Sequence, residues 1–259
     1  MKRRNSWQIM ADTVFALMIR ELRTRFGASR LGYFWALAEP AAQAGIMGLL
    51  WMAMGRHALS GVPVILFMLS GVLPFKTFIK LLSQLSAAVQ ANKGLMSYRQ
   101  VAPIDPLITR LLIEVATFVI VYFLFMLILA WFDYDVVPDN FLAVVAASFL
   151  LIAIATGLGV SICVAQLYWN DITKVVAMIS MPMMLISGIF FSATMVPQQY
   201  WYLFSWNPVF HAIELSRDGF FFSYTTPVGS WEYLVAVTLV INAVALMLYQ
   251  VNRQRFVAL

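Results

Sequence analysis

The sequence predicts an all-α integral membrane protein with six transmembrane helices, and three observations carry that prediction. Hydrophobic residues make up 62% of the 259-residue chain and charged residues only 11%, whereas a soluble globular chain is about a quarter charged. Six apolar stretches each reach the length of about 20 residues that a bilayer requires. The basic residues gather on one side of those stretches, so the net charge of +5 describes membrane topology and not a nucleic-acid surface.

The N-terminal segment, residues 1–30, reads as an interface helix. Across 6–26, Trp7, Met10, Val14, Leu17, Met18 and Leu22 fall near helical spacing on one face, with Arg20, Arg23 and Arg25 elsewhere. Such a helix lies in the plane of the membrane interface. Asp12, Arg20 and Glu21 interrupt its apolar run, and no small-residue cleavage site follows, so a removable signal peptide is not expected.

The six spans are read at 32–55, 63–89, 107–132, 140–167, 175–195 and 231–251. Of the 17 basic residues, 13 lie before the first span, between spans two and three, between four and five, or after six. The opposite loops hold Arg56 and Arg217 among Asp133, Asp135, Asp139, Glu214 and Asp218. The positive-inside rule then puts both termini in the cytoplasm, in agreement with an even span count. The single cysteine, Cys163, lies within span four and reads as a small packing residue.

Two connections are more than loops. Residues 90–105 open a basic segment between spans two and three. A short helix over 90–101 fits there, with Asp105 as an N-cap and Pro106 opening span three. It reads either as a docking element for a cytoplasmic partner or as a solvated connector. Residues 196–227 are too aromatic for a solvated loop and too interrupted for a span. Pro197 and Pro208 each read as the start of a short helix, with Asn207 capping the second. This predicts a re-entrant outer hairpin, because irregular backbone survives at membrane depth only inside protein or along a cavity.

No GxxxxGK[ST] phosphate loop, HExxH or His/Cys cluster with metal spacing occurs. Ser205 and His211 share a loop, but no GxSxG-like turn supports a serine protease. The intramembrane charges are the sharper signal. Lys76 and Lys80 are four apart on one face of span two, where a charge costs about 2.5–3.5 kcal/mol on insertion scales. They line a path for an anionic substrate, or they sit nearer a cytoplasmic funnel if Pro74 breaks the span, or they pair with Glu39 or Glu114. Glu39 itself reads as a structural partner beside the helix-kinking Pro40. The aromatic residues, 15% of the chain, suit an interfacial belt or a wall against sugar rings.

Five runs carry a resemblance: RTRFGASRLGYFWALAEP (23–40), MLSGVLPF (68–75), ANKGLMSYRQVAPIDPLITR (91–110), YWNDITK (168–174) and WNPVFHAIELSRDG (206–219). In this order, and over nearly the whole chain, they resemble the polysaccharide-export branch of ABC-2 type permeases. The likeness is greatest to the membrane subunits of group 2 capsular polysaccharide exporters. It implies a homodimer of six-span subunits in the bacterial inner membrane with two separate cytoplasmic ATPase subunits. ATP and Mg would be bound by those partners, with no cofactor on this chain. It also implies a lipid-linked, acidic polysaccharide as cargo, and periplasmic and outer-membrane export proteins as further partners. Carried over residue by residue, Arg30, Tyr33, Trp35 and Glu39 would stand at the channel entrance. Asn92, Tyr98 and Arg99 would stand at the helix that couples to the ATPase. Tyr200, Trp201, Trp206 and His211 would belong to the outer gate. The C-terminal RQRFVAL leaves no room for a carbohydrate-binding domain. The alternatives are an ABC-2 permease for O-antigen, teichoic acid or a drug, a membrane glycosyl- or phosphotransferase using the Asp133, Asp135 and Asp139 cluster, and a passive channel.

Overall fold

The structure is a computed structural model and describes residues 6–27, 32–56, 58–95 and 101–257. Helix α1 (Ser6–Gly27) is followed by α2 (Gly32–Ala53) and a short hairpin, β1 (Ala58–Leu59) with β2 (Val62–Pro63). Its two turn residues, Ser60 and Gly61, both hold positive φ, as the tight primed turn of a two-residue hairpin requires. Then come α3 (Val64–Ser86), α4 (Ala88–Ala91), α5 (Asp105–Trp131), α6 (Phe141–Ala165), α7 (Ile172–Ile186), α8 (Pro208–Phe220) and α9 (Trp231–Val257).

Among the described residues, α3, α5, α6 and α9 are long and apolar enough to cross a membrane, and α7 is a shorter apolar helix. Helix α2 has 22 residues but carries Glu39, Pro40 and Gln43. Large apolar side chains point outward along α5 (Val119, Phe123, Leu127), α6 (Phe141, Phe149) and α9 (Leu239, Met247). A continuous apolar exterior of this kind suits hydrocarbon and not water.

The core is built around α3 and α6. Helix α3 runs unbroken through Pro74, so that proline does not divide the helix. Helix α6 touches α3 and α9, and two glycines set the distance. A Cβ at Gly159 would lie 2.7 Å from Leu85 Cβ on α3, and one at Gly157 would lie 2.7 Å from Ile241 Cγ2 on α9. Membrane helices without a hydrophobic driving force associate through such small-residue contacts. Asn242 adds a polar tie by donating to the Ala153 carbonyl at 3.1 Å. Cys163 is free and buried within this core.

Helix α1 covers the stretch expected to be helical, 6–26, and packs on α5. Its buried stripe is Val14, Leu17 and Glu21, whereas Trp7 is exposed. Glu21 accepts from Arg110 Nε on α5 at 2.8 Å, and Arg110 also donates to the Gln84 carbonyl on α3. Helix α5 begins at Asp105 itself, one position earlier than expected for an N-cap, and Asp105 Oδ2 accepts from Ala102 N–H.

The fifth apolar stretch departs from expectation. Helix α7 ends at Ile186 instead of running to 195. Beyond it the chain turns, and the carbonyls of Gly188, Ile189 and Phe191 all accept from one guanidinium, that of Arg217. Carbonyls turned inward outside regular structure need such a partner, while the α7 end itself is met by Ser187 Oγ on the Met183 carbonyl and Asn207 Nδ2 on the Ile186 carbonyl.

Candidate functional site

Helices α2, α3, α5 and α7 enclose a cavity of about 630 Å³. Lys76 and Lys80 project into it from one face of α3, as their i, i+4 spacing dictates. Lys76 lies about 15 Å along the helix from the α3 C-terminus, at ~1.5 Å per residue. Glu39 enters from α2 and Glu114 from α5, with Thr117 and Ser180 adding hydroxyls. Phe118, Val121, Met181 and Met184 supply apolar wall, and Gln43, Thr77, Ser83 and Gln84 add further polar groups. Gln43 ties α2 to α7 across this wall by bonding Met184 Sδ at 3.2 Å.

The pairing expected of Lys76 and Lys80 is present. Both ammonium groups face the cavity, and both are paired: Lys76 with Glu39, and Lys80 with Glu114 at 3.3 Å. The pairs differ in setting. Glu114 is buried, with its side chain 3% exposed, while the Glu39 side chain is 68% exposed. A charged group with a buried, fixed partner is held far more firmly than one in an exposed pair.

The other expected entrance residues spread out. Trp35 is exposed and meets Phe34 edge-on, away from the cavity lining. Tyr33 lies in α2, and Arg30 falls outside the described residues. In the expected coupling segment, Asn92 is buried, donates to the Ala88 carbonyl and accepts from Arg20 of α1 at 3.4 Å. Around it the chain forms α4 and a 3-10 turn at Lys93–Leu95, not a single helix over 90–101. Tyr98 and Arg99 fall outside the described residues.

In the aromatic segment, Gln198–Leu203 forms a 3-10 helix after Pro197, and α8 begins at Pro208. Asn207 caps α8 as expected, with its side-chain oxygen accepting from Val209 N–H at 3.0 Å. Trp201 and Trp206 each donate their indole N–H to a nearby carbonyl, of Val196 and Leu203 respectively. Tyr200 and Trp206 remain exposed. His211 is buried, with Nδ1 accepting from Ser230 N–H. Its Nε2–H therefore donates to the Ser205 carbonyl. The Ser205 contact uses the backbone and not the hydroxyl, so the pair lacks the geometry of a nucleophile and its base. Burial holds the His211 imidazole below its ordinary pKa, partly offset by the Ser205 bond and the Glu214 charge.

Against known proteins, the model of the ABC-2 type transporter family matches residues 12–221. The chain belongs to the ABC-2 type transporter family. It is 37% identical over 253 residues to the polysialic acid transport protein KpsM of Escherichia coli, covering 97% of each chain. It is 31% identical to the capsule polysaccharide export inner-membrane protein CtrC of Neisseria meningitidis serogroup A, covering 88% of this chain and 86% of CtrC. The corresponding protein BexB of Haemophilus influenzae is 28% identical, over 95% of this chain and 92% of BexB.

Sequence reasoning about this transporter missed its most buried charge cluster. Arg217 is fully buried, with its guanidinium 3.8 Å from the centre of the Phe67 ring. It pairs with Glu214 at 3.4 Å, and Glu214 also accepts from Tyr224 and Thr226. The two charges had been assigned to an outer loop. Their i, i+3 spacing in a helix opening at Pro208 was the available signal. Among the described residues, no three His, Cys, Asp or Glu side chains gather where they could hold a metal ion.

Proposed function

We propose that this chain is the membrane subunit of an ATP-driven exporter that moves lipid-linked, acidic capsular polysaccharide outward across the bacterial inner membrane. The observation that carries the reading is the cavity, which gathers Lys76 and Lys80 with apolar side chains of α5 and α7, in a chain that aligns over 97% of its length with a polysialic acid transport protein. Lysines offer point charges to carboxylates or phosphates of the cargo, and the Met181 and Met184 wall adapts its shape to an apolar anchor.

Six spans, made by α2, α3, α5, α6, α7 and α9, leave both termini in the cytoplasm. The segment from Pro197 to Pro227, with α8 at its centre, is the re-entrant outer hairpin and forms the gate through Tyr200, Trp201, Trp206 and His211. Two copies of the chain pair with the open side of this cavity on the path between them, and two separate ATPase subunits bind ATP and Mg. Asn92, Tyr98 and Arg99 belong to the segment that seats in the ATPase, and Arg20 links that segment to α1. ATPase closure moves the segment, α3 and α5 shift with it, and the polymer advances along Arg30, Tyr33, Trp35 and the cavity wall. Each contact along the way must be weak, because a chain held tightly at one point is not threaded onward. Periplasmic and outer-membrane export proteins receive the product.

The test is the double substitution Lys76→Gln/Lys80→Gln combined with Glu114→Gln, so that no buried carboxylate loses its partner. The protein should reach the membrane at its normal level while surface polymer falls at least severalfold. Unchanged surface polymer would show that the lysines only brace the helices.

A further inference from the structure

The cavity holds two lysines and two glutamates, so its ionic groups balance when it is empty. A balanced wall offers little to an anion unless a carboxylate gives way. Glu114 is poorly placed to do so, since separating a buried carboxylate from Lys80 leaves a charge without solvent. Glu39 is well placed. Its side chain is largely exposed and lines the open cavity, so leaving Lys76 does not bury it in packed protein. It also stands one residue before Pro40, inside α2. A proline within a helix removes a backbone hydrogen bond and kinks the chain, which makes α2 most pliant at this turn.

We propose that Glu39 is an exchangeable counter-anion for Lys76 and sets the selectivity of the path for acidic glycans. An incoming sugar carboxylate displaces the Glu39 carboxylate, which turns aside within the open cavity, and the Lys76 ammonium passes to the glycan. When the segment moves on, Glu39 returns to Lys76. Bond making and breaking are ionic throughout, with no proton transferred. The exchange keeps the empty path from trapping stray small anions. It also weakens every hold on the polymer, as threading demands. This inference rests on the cavity being the polymer path.

The experiment measures binding of a fluorescent oligogalacturonate to the full-length protein in phosphatidylcholine nanodiscs, with an uncharged dextran oligomer as control. Exposed ion pairs are worth little, so Glu39→Gln should tighten oligogalacturonate binding by about two- to fivefold. Lys76→Gln should weaken it by a similar factor. The double substitution should match Lys76→Gln, because Glu39 has nothing left to compete for. Dextran should respond to none of them. Glu39→Asp, which keeps the charge but shortens its reach, should tighten binding in the same direction as Glu39→Gln and by less. If Lys76→Gln weakens binding but Glu39→Gln leaves it equal or weaker, Glu39 is a brace and the exchange is refuted while the path stands. If the wild type itself does not bind oligogalacturonate, the path reading fails and this inference fails with it.

Discussion

Arg217→Met removes the charge that ties α3, α8 and the turn after α7 to one another. The guanidinium donates to the carbonyls of Phe67, Gly188, Ile189 and Phe191 and to Ser70 Oγ, and it pairs with Glu214. The fit leaves no slack: a Cβ at Gly71 would lie 2.6 Å from Arg217 Nη2. Removing one partner of a buried ion pair destabilises by about 3–5 kcal/mol. Each kcal/mol moves the melting midpoint by about 2–4 °C in a chain of 150–250 residues, so the expected fall is about 6–20 °C. Arg217→Lys should recover only part of it, because an ammonium lacks the planar fork that reaches several carbonyls at once. The single thiol provides the assay. Cys163 is buried, so a fluorogenic maleimide reports its exposure as the detergent-solubilised protein is heated. An Arg217→Met midpoint within about 2 °C of wild type, worth under about 1 kcal/mol, would refute the argument.

Three further outcomes follow from the same reasoning. Asn207→Ala loses the α8 cap, worth about 1 kcal/mol, together with its bonds to Ile186 O and Ser187 Oγ, so its midpoint in the same assay should fall by several degrees. Gly159→Val forces α6 away from Leu85 and should destabilise by about 1–3 kcal/mol through overpacking, whereas Gly45→Ala, with nothing within 4 Å of the added Cβ, should be nearly silent. His211 should make the protein acid-sensitive. Its folded pKa is depressed from 6.5, so the unfolded chain binds the extra proton first. The stability it contributes is present above pH 6.5 and is lost as pH falls toward the folded value. Thermal midpoints between pH 8 and 5 check this, and His211→Gln should flatten the slope.

The helical, membrane-bound character of the chain was legible because it rests on composition and span length, which tertiary contacts cannot override. Asn207 and Pro208 fixed the start of α8 for the same reason: capping is local chemistry. The meeting of Lys76 with Glu39 and of Lys80 with Glu114 was foreseeable only as one option, since a buried charge must find some partner but its position in sequence does not say which. The early end of α7 and the Arg217 cluster were the least legible. Both depend on one side chain reaching the carbonyls of four residues from two separate segments, and no local pattern encodes that.

The central claim, that this chain moves polymer under the power of a separate ATPase, is tested most directly by crosslinking inside living cells from a photoreactive residue at position 99, followed by purification. The expected result is a P-loop ATPase joined to the chain, in about equal number, and lost when residues 92–98 are replaced by a flexible linker that keeps the photoreactive residue at 99. A chain that supports normal surface polymer while capturing no ATPase from that position would contradict the account.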